Sequence, residues 1–370
     1  MTEKDLYQAQ LFANRLSKQY RRLRKWARKN RITCYRLYDR DIPEVPLACD
    51  LYTFTSDDCE DKLSAILALN EENAALSAND SRSSFVLQDI ASRSYIHLYL
   101  YERPYEKDAA EEEAWLEAMA KAAAETVGIE QNHVIIKTRR RQSADEDGKR
   151  SQYQKTKKST SLTGMVQEQG QLFAVNLTDY IDTGLFFDHR VLRNTLRSEC
   201  KGKRVLNLFC YTGSFSVYAA EGLASYVESV DLSNTYLDWA KKNMKANGFS
   251  DPERYVFTRQ DVLTFLSEKA EKQDVKDLFD IIILDPPTFS NSKKTEHSLD
   301  INKDWPLLVE KCLTLLSKNG ILYFSTNSRR LSFNPQLLPQ NSEVTDITER
   351  TIPEDYRNTK IHRVWLIRKS

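Results

Sequence analysis

The sequence predicts an α/β fold: a doubly wound, mainly parallel sheet in the C-terminal half, preceded by a smaller α+β region. Three observations predict it. From Val205 onward, short β-branched runs alternate with segments of helical periodicity, the βαβ order that builds a parallel sheet. The run Ile281-Ile282-Ile283-Leu284 is apolar without alternation, as a strand buried on both faces must be. It stops at Asp285-Pro286-Pro287, where two prolines remove ladder donors and turn the chain out of the sheet. A carboxylate, a rigid turn and the Phe289 ring are then presented at the carboxyl edge, where open α/β folds bind ligands. An Asp-Pro pair alone would signify only a turn; Asp-Pro-Pro-x-Phe after such a strand favours a site.

At 370 residues the chain is long enough for two or three domains. The expected divisions are 1–55, a basic helix with short strands; 56–183, an α+β RNA-binding domain with a basic loop; and 184–370, the parallel sheet. Leu6 to Asn30 reads as one helix, with Phe12, Leu16, Tyr20, Leu23 and Ala27 at helical spacing. Arg15, Lys18, Arg22, Lys25 and Lys29 form a separate stripe. A solvated face is the bland reading, but the carboxylates usual on such a face are missing, which favours phosphate contact. Short strands follow at Cys34–Tyr38 and Leu51–Thr55.

The acidic, alanine-rich stretch from Asp57 to Arg82 reads as helix, ending in a loop from Ser77 to Ser81. Tyr95 to Tyr101 alternates with period two, and His97 on its aromatic face reads as packed rather than catalytic. Glu111 to Val127 is helical, with acids at its start and Gly128 as its stop. Val134–Lys137 is a strand, Arg139 to Thr163 a polar basic loop containing Arg139, Arg140 and Arg141, and Leu172–Asn176 a strand again. In the second half, strands are expected at Val205–Phe209, Tyr226–Val230, Tyr255–Thr258, 280–284 and Gly320–Ser325. Helices lie between them, one from about Trp305 with Pro306 in its first turn. Val344–Ile347 and Ile361–Arg368 can pair as a terminal hairpin.

Composition narrows the function classes. Hydrophobic content of 41% and charged content of 29% describe a globular protein, and no apolar run approaches membrane-spanning length. The start Met1-Thr2-Glu3-Lys4-Asp5 has no signal-peptide character. Six scattered cysteines without a C-x-x-C pair favour reduced thiols in a cytoplasm over disulfides or zinc, and five dispersed histidines give a metal site little support. The net charge of +1 conceals segregation: bases pool at 15–40 and 137–158, acids at 57–61 and 111–113. Such segregation makes a basic face for nucleic acid in a nearly neutral protein.

The loop from Asn207 to Phe215 leaves one strand and enters a helix through Gly213, whose lack of a side chain lets the backbone approach a ligand. With one glycine, the G-x-G-x-x-G signature is absent, which counts against an NAD-dependent oxidoreductase. Asp231, Asp261 and Asp285 end three successive strands. Singly each is an ordinary strand-end residue. Together, with the glycine turn, they fit a nucleoside-binding crevice, Asp231 at ribose spacing and Asp261 able to meet an adenine edge.

These residues also carry a family resemblance. Asn207–Phe215 with Asp231, Asp261 and Asp285–Phe289 resembles the class I S-adenosylmethionine-dependent methyltransferases. Further stretches are similar to bacterial 23S rRNA enzymes of the RlmK type, guanine-N7 methyltransferases that form the C-terminal half of fused RlmKL proteins. They include Phe12–Leu16, Cys34–Asp39, Lys137–Gln142, Val175–Arg190, Asp285–Lys293 and Asp346–Pro353. The acidic 57–82 region and the Ser143–Gly148 insertion fit less well. The resemblance implies a seven-stranded Rossmann-like methyltransferase sheet, S-adenosyl-L-methionine as cofactor and 23S rRNA as partner. A separate guanine-N2 methyltransferase would stand in for the missing fused half. It also implies that Asp188 and Arg190 help close the cofactor pocket, that Asp231 binds ribose and Asp261 adenine, and that the Tyr211–Gly213 turn holds the methionine end. Asn207, Phe209, Thr212 and Leu232 complete the pocket.

Sulfonium methyl transfer is an in-line displacement governed by positioning and desolvation. Guanine N7 offers a lone pair and needs no general base. Asp285, Pro286 and Pro287 could hold the base edge, with Phe289 stacking on its face and Asn291 and Lys293 beside base or phosphate. A buried guanine must first be flipped out, which the basic N-terminal region could assist. The similar RlmI enzymes methylate cytosine C5 and need a cysteine nucleophile; Tyr323 to Ser328 at the matching strand end contains none. Guanine N2, cytosine C5 and RNA binding without catalysis remain the alternatives.

Overall fold

The computed structural model describes residues 2–78, 81–101, 108–138, 161–272, 278–290 and 299–369. They form two compact units, Met1–Phe187 with Glu354–Arg357, and Asp188–Pro353 with Asn358–Ser370.

In the first unit the elements run α1 (Glu3–Lys29), β1 (Cys34–Asp39), β2 (Leu47–Thr53), α2 (Lys62–Ala78), α3 (Ser81–Ser92), β3 (Ser94–Leu100), α4 (Ala109–Val127), β4 (Val134–Thr138), β5 (Thr163–Glu168) and β6 (Gln171–Asn176). β1 through β4 make one four-stranded sheet in sequence order, antiparallel except for the parallel β3–β4 pair. The expected division near residue 55 therefore does not separate domains: β2, before it, pairs with β3, after it, in one sheet. Helix α1 starts on a Thr2–Asp5 capping box and buries Phe12, Leu16, Leu23 and Ala27 in a core shared with Trp115 and Met119 of α4. Gly128 ends α4 in the left-handed conformation at φ 82°. β5 and β6 pair antiparallel around Gln169 (φ 52°) and Gly170 (φ 83°), the two positive φ values of a tight hairpin turn. The sequence reading missed β5 and α3.

The segment Glu354–Arg357 belongs to the first unit, inside the span expected for the parallel-sheet domain, because its polar groups are bonded there. Asp355 accepts from the Arg36 backbone N–H at 3.0 Å, Arg357 pairs with Asp41 at 3.2 Å, and the Arg36 guanidinium lies 4.9 Å from the Tyr356 ring.

The second unit runs α5 (Arg190–Glu199), β7 (Arg204–Leu208), α6 (Ser214–Glu221), β8 (Tyr226–Asp231), α7 (Asn234–Ala246), β9 (Tyr255–Arg259), α8 (Val262–Glu271), β10 (Phe279–Leu284), β11 (Phe289–Ser290), β12 (Leu299–Asp300), α9 (Ile301–Leu315), β13 (Leu316–Thr326), β14 (Ser342–Asp346), α10 (Thr348–Thr351) and β15 (Arg363–Lys369). Its seven-stranded sheet has the order β14-β15-β13-β10-β7-β8-β9. Strands β13, β10, β7, β8 and β9 are parallel, while β15 and β14 add antiparallel. β10 has Ile281, Ile282, Ile283 and Leu284 all at most 1% exposed, as the unalternating run predicts for a strand covered on both faces. Helix α9 begins at Ile301 on an Asp300 cap, so Pro306 lies in its second turn rather than its first.

Candidate active site

The chain leaves β7 toward β8 and β9 on one side and returns to β10 and β13 on the other. β7 and β10 are parallel neighbours with Leu208 opposite Leu284. Their carboxyl ends thus bound the crevice at the point where the strand order reverses. Along that edge stand, in spatial order, Asp285, the 209–213 turn, Asp231 and Asp261.

The turn has a geometry that one glycine did not announce. Phe209, Tyr211 and Gly213 alternate in the left-handed region, at φ 54°, 52° and 74°. For the two non-glycine residues this costs about 1–2 kcal/mol each. Bonds around the turn hold it: Cys210 N–H to Val230 O at 3.0 Å, Tyr211 N–H to Asp231 Oδ2 at 3.0 Å, and Asn243 Nδ2–H to Thr212 O at 2.8 Å. At Gly213 a Cβ would lie 2.7 Å from the Ala240 Cβ. Asn207 is buried beneath the turn, donating to Ser216 Oγ at 2.9 Å, while Ser216 meets Ser229 at 2.7 Å. Its amide clamps β7, α6 and β8 together. Thr212 is fully buried, and Phe209 and Leu232 are half-buried.

Asp231 accepts backbone N–H groups on both oxygens, from Tyr211 and, at 2.8 Å, from Ser233. Burial raises its carboxyl above the ordinary value of 3.8 against these hydrogen bonds. A carboxylate can accept about four hydrogen bonds, so capacity remains for diol hydroxyls as donors. Asp261 caps α8, its Oδ1 accepting from Thr264 N–H at 3.0 Å and Thr264 Oγ1–H at 3.1 Å. The glycine cradle and the capped acids fit an adenosyl cofactor with a polar tail.

On the other bank, Pro286 is buried while Phe289 is 53% exposed. Phe289 sits in the short β11–β12 ladder opposite Asp300, and Thr288 bonds Ile301 N–H at 3.2 Å and Asn327 Oδ1 at 2.8 Å. Asn327, exposed at the end of β13, joins this edge unforeseen. Cys210 is 5% exposed and burial pushes its thiol well above the usual range; the Cys312 thiol is pushed up likewise.

Below Asp285 lies a buried cluster that no local pattern signals. His189 Nε2 is 3.3 Å from Asp285 Oδ2, 3.8 Å from Asp188 Oδ2 and 3.5 Å from Ser325 Oγ. His362 stacks on His189 at 4.7 Å and 12°, with Nδ1 3.2 Å from Asp188 Oδ2 and Nε2 2.9 Å from Thr351 Oγ1. Burial alone would raise the Asp188 carboxyl, but His189, the His362 hydrogen bond and charge, and Arg193 outweigh it and hold it well below 3.8. Asp188, His189 and His362 offer ligand atoms within 4.8 Å of one another. Two parallel stacked rings, however, have no common in-plane point for a metal ion. Arg190 is buried at 1% exposure.

The basic stripe of α1 divides in three dimensions. Arg15 pairs with Asp41 at 2.5 Å and Arg22 pairs with Glu354, so carboxylates distant in sequence oppose two of the five bases. Lys18, Lys25 and Lys29 are exposed and make no ion pair among the described residues. Arg139, Arg140, Arg141, Asn291 and Lys293 lie outside the described residues. Among the described residues, no helix is long and apolar enough to cross a membrane.

Comparison with known proteins agrees with this architecture. Residues 91–343 match the family model described as S-adenosylmethionine-dependent methyltransferase. The chain is 41% identical over 357 residues to the ribosomal RNA large subunit methyltransferase K of Neisseria meningitidis, covering 96% of this chain and 86% of that protein. It is 38% identical to the ribosomal RNA large subunit methyltransferase K/L of Pseudomonas fluorescens, covering 97% of this chain but only 40% of that longer protein. Among solved structures, a protein described as an S-adenosylmethionine-dependent methyltransferase from Streptococcus mutans aligns with TM-score 0.64 at 20% identity, over 97% of this chain and 81% of that one. A methyltransferase crystallised with S-adenosylhomocysteine aligns with TM-score 0.65 at the same identity and coverage. At that identity the likeness speaks for the fold alone.

Proposed function

Because this chain belongs to the S-adenosylmethionine-dependent methyltransferases, and among them to the ribosomal RNA large subunit methyltransferase K family, we propose that it methylates N7 of a guanine in cytoplasmic 23S rRNA. The observation that carries the site is the row of Asp285, the left-handed turn, Asp231 and Asp261 along one carboxyl edge. S-adenosyl-L-methionine supplies an electrophilic methyl group on a sulfonium. In this reading Asp231 accepts the ribose hydroxyls and Asp261 faces the adenine. The 209–213 turn holds the methionine end, and Asp188 and Arg190 support the pocket from below. Asp285, Pro286 and Pro287 orient the guanine edge and the exposed Phe289 ring stacks on its face. As the methyl arrives, positive charge develops on the purine, and the Asp285 carboxylate opposes it.

A nitrogen acceptor is supported by the state of Cys210. A cytosine C5 mechanism needs a thiolate, whereas burial holds this thiol protonated. Lys18, Lys25 and Lys29 supply the phosphate contacts, and the bases Arg139, Arg140 and Arg141 add to them. The test is mass mapping of modified nucleosides in 23S rRNA from a deletion strain. Loss of one 7-methylguanosine, restored by the wild-type gene, is expected; loss of a different modified nucleoside overturns the N7 assignment.

A further inference from the structure

We propose that His189 is a positioning residue for methyl transfer: its Nε2–H fixes the Asp285 carboxylate toward the base, and protonating the ring disables that arrangement. The inference rests on the reading of Asp285 as the base-facing group. His189 is 5% exposed, so its ring orientation is a matter of packing. Two rings set it: His362 stacks on it at 4.7 Å and Phe215 lies 5.7 Å away. Its Nε2 lies 3.3 Å from Asp285 Oδ2 and 3.8 Å from Asp188 Oδ2, and it hydrogen-bonds the Ser325 hydroxyl at 3.5 Å. Carboxylates only accept, so a neutral ring is favoured with its proton on Nε2, the Ser325 hydroxyl then accepting beside them. Nδ1 is then a bare acceptor, and it is buried without a hydrogen-bond partner among the described residues.

Burial keeps the ring below its ordinary value of 6.5. Asp285 and Asp188 favour the charged form, while His362 and Arg193 oppose it. Near neutral pH the ring is therefore an uncharged donor that leaves the negative charge of Asp285 available to the developing purinium. In acid, an imidazolium 3.3 Å away would neutralise that charge.

Single-turnover methylation of a 23S rRNA fragment by the full chain tests this, with wild type, His189→Gln and His189→Ala followed from about pH 8 to about pH 5.5. Product nucleosides are identified by mass, and S-adenosylhomocysteine affinity is read by calorimetry. Wild type should lose rate toward the acid end of this series, since burial lowers the ring below its ordinary value. His189→Ala should lose on the order of 10–100-fold in rate at neutral pH, with cofactor affinity within about threefold. His189→Gln, an uncharged donor of similar reach, should recover most of the rate and lack the acid limb. If the glutamine variant keeps the limb, or falls as far as alanine with intact cofactor affinity, the proposal is overturned. Should the alanine variant fail to fold, the glutamine profile decides. A product other than 7-methylguanosine overturns the acceptor assignment instead, and the rate comparison still reads the role of His189.

Discussion

Tyr211 donates its backbone N–H to the Asp231 carboxylate at 3.0 Å, tying the strained turn after β7 to the end of the neighbouring strand β8. One side chain thus both shapes the cradle and stands where ribose hydroxyls are proposed to bind. Asp231→Ala should weaken S-adenosylhomocysteine binding by about 1.5–3 kcal/mol, the range for hydrogen bonds to a charged group. Titration calorimetry measures it, and unchanged affinity would remove Asp231 from the pocket.

Gly213→Ala combines two penalties: a left-handed φ of 74° and a Cβ placed 2.7 Å from Ala240 Cβ. Together they should destabilise the unit by about 2–4 kcal/mol. Adding Ala240→Gly should restore only part of the steric share, measured against Ala240→Gly alone, because the Ala240 Cα stays 3.2 Å away and glycine weakens α7 by about 1 kcal/mol. Urea unfolding of these variants separates the contributions; full rescue would mean that the backbone conformation is unstrained.

The Asp188 carboxyl is held below its ordinary value of 3.8 by the imidazoles and Arg193 around it, against the effect of burial. An acid with a depressed value stabilises the fold fully above 3.8, and that contribution is lost as pH falls through its folded value. Asp188→Asn should lower the melting temperature at neutral pH and make it less sensitive to acid below about pH 4 than wild type. Parallel acid limbs in the two melting series would remove Asp188 as the source.

Cys210 lies in the cofactor turn, yet its thiol is buried and pushed above the usual range. Cys210→Ala should keep the methylation rate within about threefold of wild type, since small buried substitutions here leave the bonded backbone in place. A loss beyond about a hundredfold, with cofactor binding intact, would point to covalent catalysis through that sulfur.

On α1 the prediction distinguishes paired from unpaired bases. Replacing Lys18, Lys25 and Lys29 by glutamine should weaken binding of an rRNA fragment and reduce its log–log salt slope by up to about two to three, near one unit per lost phosphate contact. Arg15 and Arg22, held by Asp41 and Glu354, should each contribute less. Filter binding across a salt series reads both, and an unchanged slope for the lysine variant would dismiss α1 as a phosphate-contacting face.

Sequence periodicity located most of the second unit because its elements are locally self-declaring. Ile281–Leu284 can only be a doubly covered strand, the Asp-Pro-Pro break can only leave the sheet, and acids at strand ends recur at βα spacing. Thr163–Glu168 has no comparable signature and becomes a strand by pairing with Gln171–Asn176. The start of α9 was misplaced because Asp300 caps it through its side chain, accepting from Asn302 N–H at 3.0 Å, a bond that apolar spacing does not reveal.

What the sequence determined by itself is the parallel α/β sheet, the glycine turn and the row Asp231, Asp261, Asp285, since these follow from local periodicity, backbone chemistry and strand ends. Tertiary structure alone decided what surrounds them. It placed Phe209 and Tyr211 in left-handed conformations that Asp231 and Val230 help hold. It neutralised Arg15 and Arg22 with distant acids. It also stacked His362 on His189 beneath Asp285. Contacts of this kind join residues far apart in the chain, and their energies depend on burial and orientation, which exist only once the chain has folded.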